Sequence, residues 1–97
     1  MIFAEIQHEK HYKTFHPELV ALMLEHFTDV TSGLQPDSWI WVRDNEELVK
    51  IDTFTSKNHQ VKSPMAGALI RKVIDVLKLR FQVKMFDPIE LEEHEHE

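Results

Sequence analysis

From Asp37 to Phe54 the side chains alternate so regularly that one strand pairing is strongly preferred over its neighbours. Setting Val42 opposite Val49 and Ile40 opposite Ile51 makes one face of a hairpin wholly β-branched. The same register sets Trp41 against Lys50, Trp39 against Asp52 and Arg43 against Leu48 on the other face. A slip of one residue mixes the two sets, so the hydrophobic pattern itself specifies the pairing. Asn45-Glu46 remains as a tight turn, with Asn tolerating a left-handed backbone.

The flanking chain supplies two more strands and two helices. Ile2 to Gln7 alternates, with Ile2, Ala4 and Ile6 on one side and Phe3, Glu5 and Gln7 on the other. His8 to Phe15 is polar and dense in charge, and reads as a loop, with a helical turn as the alternative. His16-Pro17 then opens a helix, with proline in its favoured first position. Leu19, Leu22, Met23, His26, Phe27 and Val30 share a face of period 3.6, and Thr31-Ser32-Gly33 stops it, Gly33 as a left-handed cap. Gln60 to Lys62 is a short edge strand. Ser63-Pro64 starts a second helix, whose inner face is Ala66, Leu69, Ile70, Val73, Ile74 and Leu77. Phe81 to Phe86 alternates again as the last strand, with Phe81, Val83 and Met85 inward, and Asp87-Pro88 breaks it.

Discounting the short edge strand, the order β-α-β-β-α-β is that of an α+β, ferredoxin-like sandwich, a four-stranded antiparallel sheet with two helices on one face. Right-handed crossovers place the first and third strands at the centre. The chain is long enough for one core, so residues 1–88 are read as a single domain and 89–97 as an acidic, flexible tail. The net charge of −6 belongs entirely to the stretch after Phe86: Asp87, Glu90, Glu92, Glu93, Glu95 and Glu97 have no base after Lys84 to offset them. The body is therefore neutral, which disfavours a strongly basic nucleic-acid footprint. The absence of cysteine excludes disulfides, thiol chemistry and thiolate-bound metals. With no secretory signal visible and no apolar run longer than Leu19–Leu24, a soluble cytoplasmic protein away from the membrane is expected.

Function is read from the face turned away from the helices. It collects Phe3, Trp39, Trp41, Arg43, Lys50 and Phe54, interleaved with Glu5, Gln7, Asp52, Lys84 and Phe86. Aromatics of this size dominate binding hot spots, so the face reads as a protein-interaction surface, most simply between two copies of the chain. The same geometry suits stacking of single-stranded bases, with Arg43, Lys50 and Lys84 for phosphates, although Glu5 and Asp52 oppose it. A third reading takes His8, His11 and His16 as a metal or acid–base site, placed beside the hairpin turn at Asp44, Glu46 and Glu47, with His59 at the far end of the sheet. No phosphate-cradling glycine loop is present, and neither Ser32 nor Ser38 has a sequence neighbour that marks a nucleophile. The domain is read as non-catalytic and without cofactor. The closing Glu-His-Glu-His-Glu run reads as a solvated tail, the alternatives being weak binding of divalent metal or of a basic partner.

Overall fold

The computed structural model describes residues 1–91. In chain order these form β1 (Ile2–Gln7), α1 (Tyr12–His26), β2 (Asp29–Gly33), β3 (Trp39–Asp44), β4 (Glu47–Asp52), β5 (Gln60–Lys62), α2 (Ala68–Lys78) and β6 (Gln82–Glu90). The class is α+β, but the sheet has six strands, in the order β2-β3-β4-β5-β1-β6, each pair antiparallel. The four-stranded ferredoxin-like arrangement is therefore corrected. Asp29–Gly33 is an additional edge strand, and Gln60–Lys62 is an interior strand between β4 and β1.

The β3–β4 hairpin takes the register expected from its pattern: Trp39 faces Asp52, Ile40 faces Ile51, Trp41 faces Lys50, Val42 faces Val49 and Arg43 faces Leu48. Asn45 turns the chain at φ 56°. Ile40, Val42, Val49 and Ile51 lose all solvent contact against Leu19, Leu22 and Met23 of α1 and Leu69, Ile70, Val73, Ile74 and Leu77 of α2. Burial of each such aliphatic side chain contributes about 1.5–3 kcal/mol, so this layer is the main stabilising contact of the molecule. Val61 of β5 joins it, opposite Ile51 on one side and Ala4 on the other.

Several boundaries move, each for a local reason. Helix α1 begins at Tyr12, a turn earlier than Pro17 suggests, because His11 caps it: the Lys13 backbone N–H donates to His11 Nδ1 at 3.2 Å. Pro17 sits inside the helix on its exposed side, where water can satisfy the carbonyl its missing N–H leaves free. Val30 belongs to β2 and faces Val42, and His26 and Ala66 are exposed. Gly33 has no positive φ and caps nothing. It lies opposite Trp39, whose indole covers the space a Cβ would need. Ser63 does not start α2, because its hydroxyl donates to the Leu48 carbonyl at 2.9 Å across the sheet. The helix begins at Ala68 after Gly67, with the Glu47 carboxylate accepting from the Leu69 N–H at 3.3 Å. Strand β6 runs past Asp87-Pro88 to Glu90. Proline is tolerated because β6 is an edge strand whose register against β1 jumps between Met85 and Glu90. Met85 is 45 % exposed and lies outside the core, while Phe81 and Val83 pack against it. Of the expected tail, residues 92–97 lie outside the described residues.

Gly67 and Glu47 form a testable unit, since a Cβ on residue 67 would fall on the Glu47 carboxylate. Glu47→Ala is expected to cost about 1 kcal/mol through the lost cap, and Gly67→Ala more. In the Glu47→Ala background, Gly67→Ala should become neutral or stabilising, giving a coupling of about 1 kcal/mol or more in urea denaturation. Additive losses would show that the carboxylate does not occupy that space.

Candidate functional site

Two places hold side chains whose arrangement exceeds what folding alone requires: the sheet face away from the helices, and the end of the sheet where β1 and β4 finish.

On the outer face, Trp39 and Trp41 are half-buried, with ring centres 5.5 Å apart and planes tilted by 56°. The Arg43 guanidinium lies 5.2 Å and the Lys50 ammonium 5.0 Å from the centre of the Trp41 ring, within cation–π range. Phe54 follows β4 and is 47 % exposed. Phe3 does not belong here. The register between β1 and both of its neighbours shifts between Ile2 and Ala4, and this bulge turns Phe3 into the core while pairing Ile2 with the outward Lys62.

The outer face is also less open than the strand pattern implies. At its centre Lys62 and Asp52 form an ion pair of 2.7 Å, with only 4 % and 3 % of the two side chains exposed. The segment after β4 folds back over this region: Ser56 Oγ donates to Glu5 at 3.0 Å, Thr55 Oγ1 donates to Gln60 at 3.0 Å, and the Phe54 N–H donates to Asp52 at 3.3 Å. The aromatic–cationic ground is thus split: the larger part lies on β3 and β4 beside β2, and on the edge strand β6 the Lys84 ammonium lies 6.0 Å from the centre of the Phe86 ring.

The second place is the histidine end. His16, on the buried side of α1, reaches Ser38 just ahead of β3: its Nδ1 lies 2.6 Å from Ser38 Oγ. His59, just ahead of β5, approaches the same hydroxyl with Nε2 at 2.7 Å. Ser38 and His59 are wholly buried and His16 nearly so. A single hydroxyl offers one proton, so one imidazole accepts from it and the other donates to it. The Ser38 backbone is pinned to Thr53 in both directions, through Thr53 N–H to the Ser38 carbonyl at 3.1 Å and Ser38 N–H to Thr53 Oγ1 at 3.3 Å. Burial, reinforced by His8 and His16 nearby, pushes the His59 imidazole down to about 4. Burial also holds His8 and His16 below the ordinary histidine range. These rings are neutral at physiological pH, and Ser38 is sealed away from any attacking role.

His8 stacks on Phe15, with ring centres 3.8 Å apart and planes 13° from parallel, and lies 5.9 Å from the His59 ring. This overturns the expected geometry. The loop carrying His8 is at the Ser38–Thr53–His59 end of the sheet, whereas the hairpin turn is at the other end, beside Ser63 and the start of α2. His8, His11 and His16 do not converge: His11 is exposed as the helix cap, His16 is engaged with Ser38, and the ring His8 approaches is His59. Among the described residues no three His, Asp or Glu groups stand close enough to hold a metal ion. Sequence reasoning missed Ser38 and His59 because 22 and 21 residues separate the partners, and only the added strand brings them together.

Ser38→Ala strands two buried imidazole nitrogens and is expected to cost at least about 2 kcal/mol of stability. The pH dependence has a definite sign. Between about 6.5, the ordinary histidine value, and about 4, the unfolded chain takes up a proton that folded His59 refuses. The stabilisation is present above pH 6.5 and lost as pH falls through that window, by about 3 kcal/mol for this group. Urea denaturation at pH 7 and pH 4 should show a shallower pH dependence for His59→Gln than for the parent; parallel slopes would mean His59 titrates normally.

The chain matches no family model, no curated protein and no solved structure.

Proposed function

We propose that this is a non-catalytic interaction domain that associates through the aromatic–cationic ground of β2, β3 and β4, most simply with a second copy of itself. The reading rests on one observation: two adjacent indoles lie on the sheet surface opposite the helices, flanked by Arg43 and Lys50 and bordered by the exposed Phe54. Trp and Arg are the side chains that most often anchor interfaces, and an isologous contact needs no second gene product. Trp39, Trp41, Arg43, Lys50 and Phe54 are the anchors; Phe3, in the core, is not. Among the described residues no helix is long and apolar enough to cross a membrane, and the cysteine-free chain suits a reducing compartment such as the cytoplasm.

Single-stranded nucleic acid on the same ground is the second reading, favoured by the two cations beside Trp41. The buried Asp52–Lys62 pair and the hydrogen-bonded Glu5 stand between it and the exposed Lys84 beside Phe86 on β6, so the positive surface along the sheet is interrupted.

Sedimentation equilibrium should show reversible association that Trp41→Ala weakens by about tenfold or more, while Glu46→Ala at the exposed hairpin turn leaves it unchanged. Equal and small effects would reject the surface. Quenching of tryptophan fluorescence by an oligonucleotide, steeply weakened by salt, would transfer it to nucleic acid.

A further inference from the structure

We propose that the aromatic–cationic ground has an occupant within the same chain: the acidic segment of residues 92–97, which crosses the outer face of the sheet from the end of β6 and sets its carboxylates beside Lys50, Arg43 and Trp41. Its docking is independent of self-association. Its consequence, competition with a second copy for the same ground, rests on the association proposed above.

The first observation is a row of cross-strand partners that joins the two places. Glu90, at the end of β6, pairs with Ile2 of β1; Ile2 pairs with Lys62 of β5; Lys62 pairs with Lys50 of β4; and Lys50 pairs with Trp41 of β3. Directly opposed residues share a face, so Glu90 stands on the outer side in line with Lys50 and Trp41. Adjacent strands lie about 4.8 Å apart, which puts Lys50 about 14 Å and Trp41 about 19 Å from Glu90 along the row. The seven residues from Leu91 to Glu97 reach about 23 Å when extended, enough to arrive at both. The loop after β4 makes its contacts with the neighbouring row of Asp52, Gln60 and Glu5. Ile2 and Lys62 lie buried in the middle of the joining row, while Lys50, Trp41 and Arg43 are only half-buried and open to a partner.

The second observation is complementary charge. Among the described residues Lys50 has no carboxylate partner, and Arg43 has only the exposed Asp29 at 3.8 Å. Both cations lie against the Trp41 ring and are held there in the absence of any anion. The segment has the opposite character: Glu92, Glu93, Glu95 and Glu97 with no Lys or Arg. Its glutamate–histidine alternation matters, because an extended path places Glu93, Glu95 and Glu97 on one side, about 6.6 Å apart, and both histidines on the other. Arg71 and Lys72 are also exposed cations, but they stand on α2, on the opposite side of the sheet.

Single pairs between exposed charges are weak. The short connection to β6 compensates, since it holds the carboxylates near the ground at an effective concentration on the order of millimolar. That favours the segment of the same chain over that of a second copy in dilute solution.

The chain has no cysteine, so Glu97→Cys in the full chain accepts a nitroxide at one site. In dilute solution at low salt, the Trp41 indole and Lys50 amide NMR signals should lose intensity to the nitroxide while those of Arg71 and Lys72 keep theirs. Salt, or Glu→Gln at positions 92, 93 and 95, should restore the lost intensity. Absent broadening, equal broadening on α2, or indifference to the three substitutions overturns the proposal. So does broadening that persists when only an isotope-labelled, nitroxide-free chain is observed beside a nitroxide-bearing unlabelled one, because the segment would then be acting between copies. In sedimentation, Glu→Gln at 92, 93, 95 and 97 should strengthen self-association by about threefold or more, and a weakening would overturn the competition. The broadening is read on the isolated chain: absent association rejects the earlier reading and leaves the docking in place, whereas absent broadening with intact association rejects the docking alone.

Discussion

The strict sidedness of the β3–β4 hairpin is the constraint on which the rest of this molecule depends. Because Ile40, Val42, Val49 and Ile51 all leave water on one side, both helices must pack there, and Trp39, Trp41, Arg43 and Lys50 are committed to the other. Neighbouring strands inherit that choice through their registers. Val30 faces Val42 and Val61 faces Ile51, so the aliphatic layer continues unbroken from β2 to β5. Sidedness alone, however, says nothing of strand direction, and direction decides which loops meet.

That is where reading the chain in one dimension ran short. β2 is Asp-Val-Thr-Ser-Gly, a polar edge strand in which Val30 is the single large apolar residue facing the core. Its pattern merges with the end of α1, so the strand is absorbed into a helix and its stop. Overlooking one strand reverses the assumed direction of the hairpin and moves its turn to the wrong end of the sheet. Counting β5 as a marginal edge leaves out a second reversal, and the two cancel for β6. This is why the first and last strands pair as expected while the hairpin between them was upside down. Phe3 failed for a different reason. A bulge between Ile2 and Ala4 shifts sidedness by one residue, and nothing in strict alternation signals it.

The histidine end shows what such reversals hide. His8, His11 and His16 attract attention as near neighbours in the chain, yet the cluster that forms draws on α1, the start of β3 and the loop ahead of β5. Ser38 had no sequence partner to mark it, and its two imidazoles arrive only through tertiary folding. His59 links the group, sharing the Ser38 hydroxyl with His16 and lying 5.9 Å from the His8 ring, and burial lowers the titration of all three. By contrast the Trp39–Trp41 ground was legible, because alternation within one hairpin is local information and the helices had no means of reaching the opposite side.

The two margins of the sheet carry a last consequence. β6 is interrupted by Pro88 and by its slip against β1, with Lys84 on its outward side. β2 is short and polar, and Asp29 at its start leans toward Arg43 at 3.8 Å. Neither margin offers a long apolar ribbon on which another chain could extend the hydrogen-bond ladder. Growth by adding strand to strand is thus discouraged in both directions. The margins themselves therefore guard the chain against open-ended, fibre-like stacking.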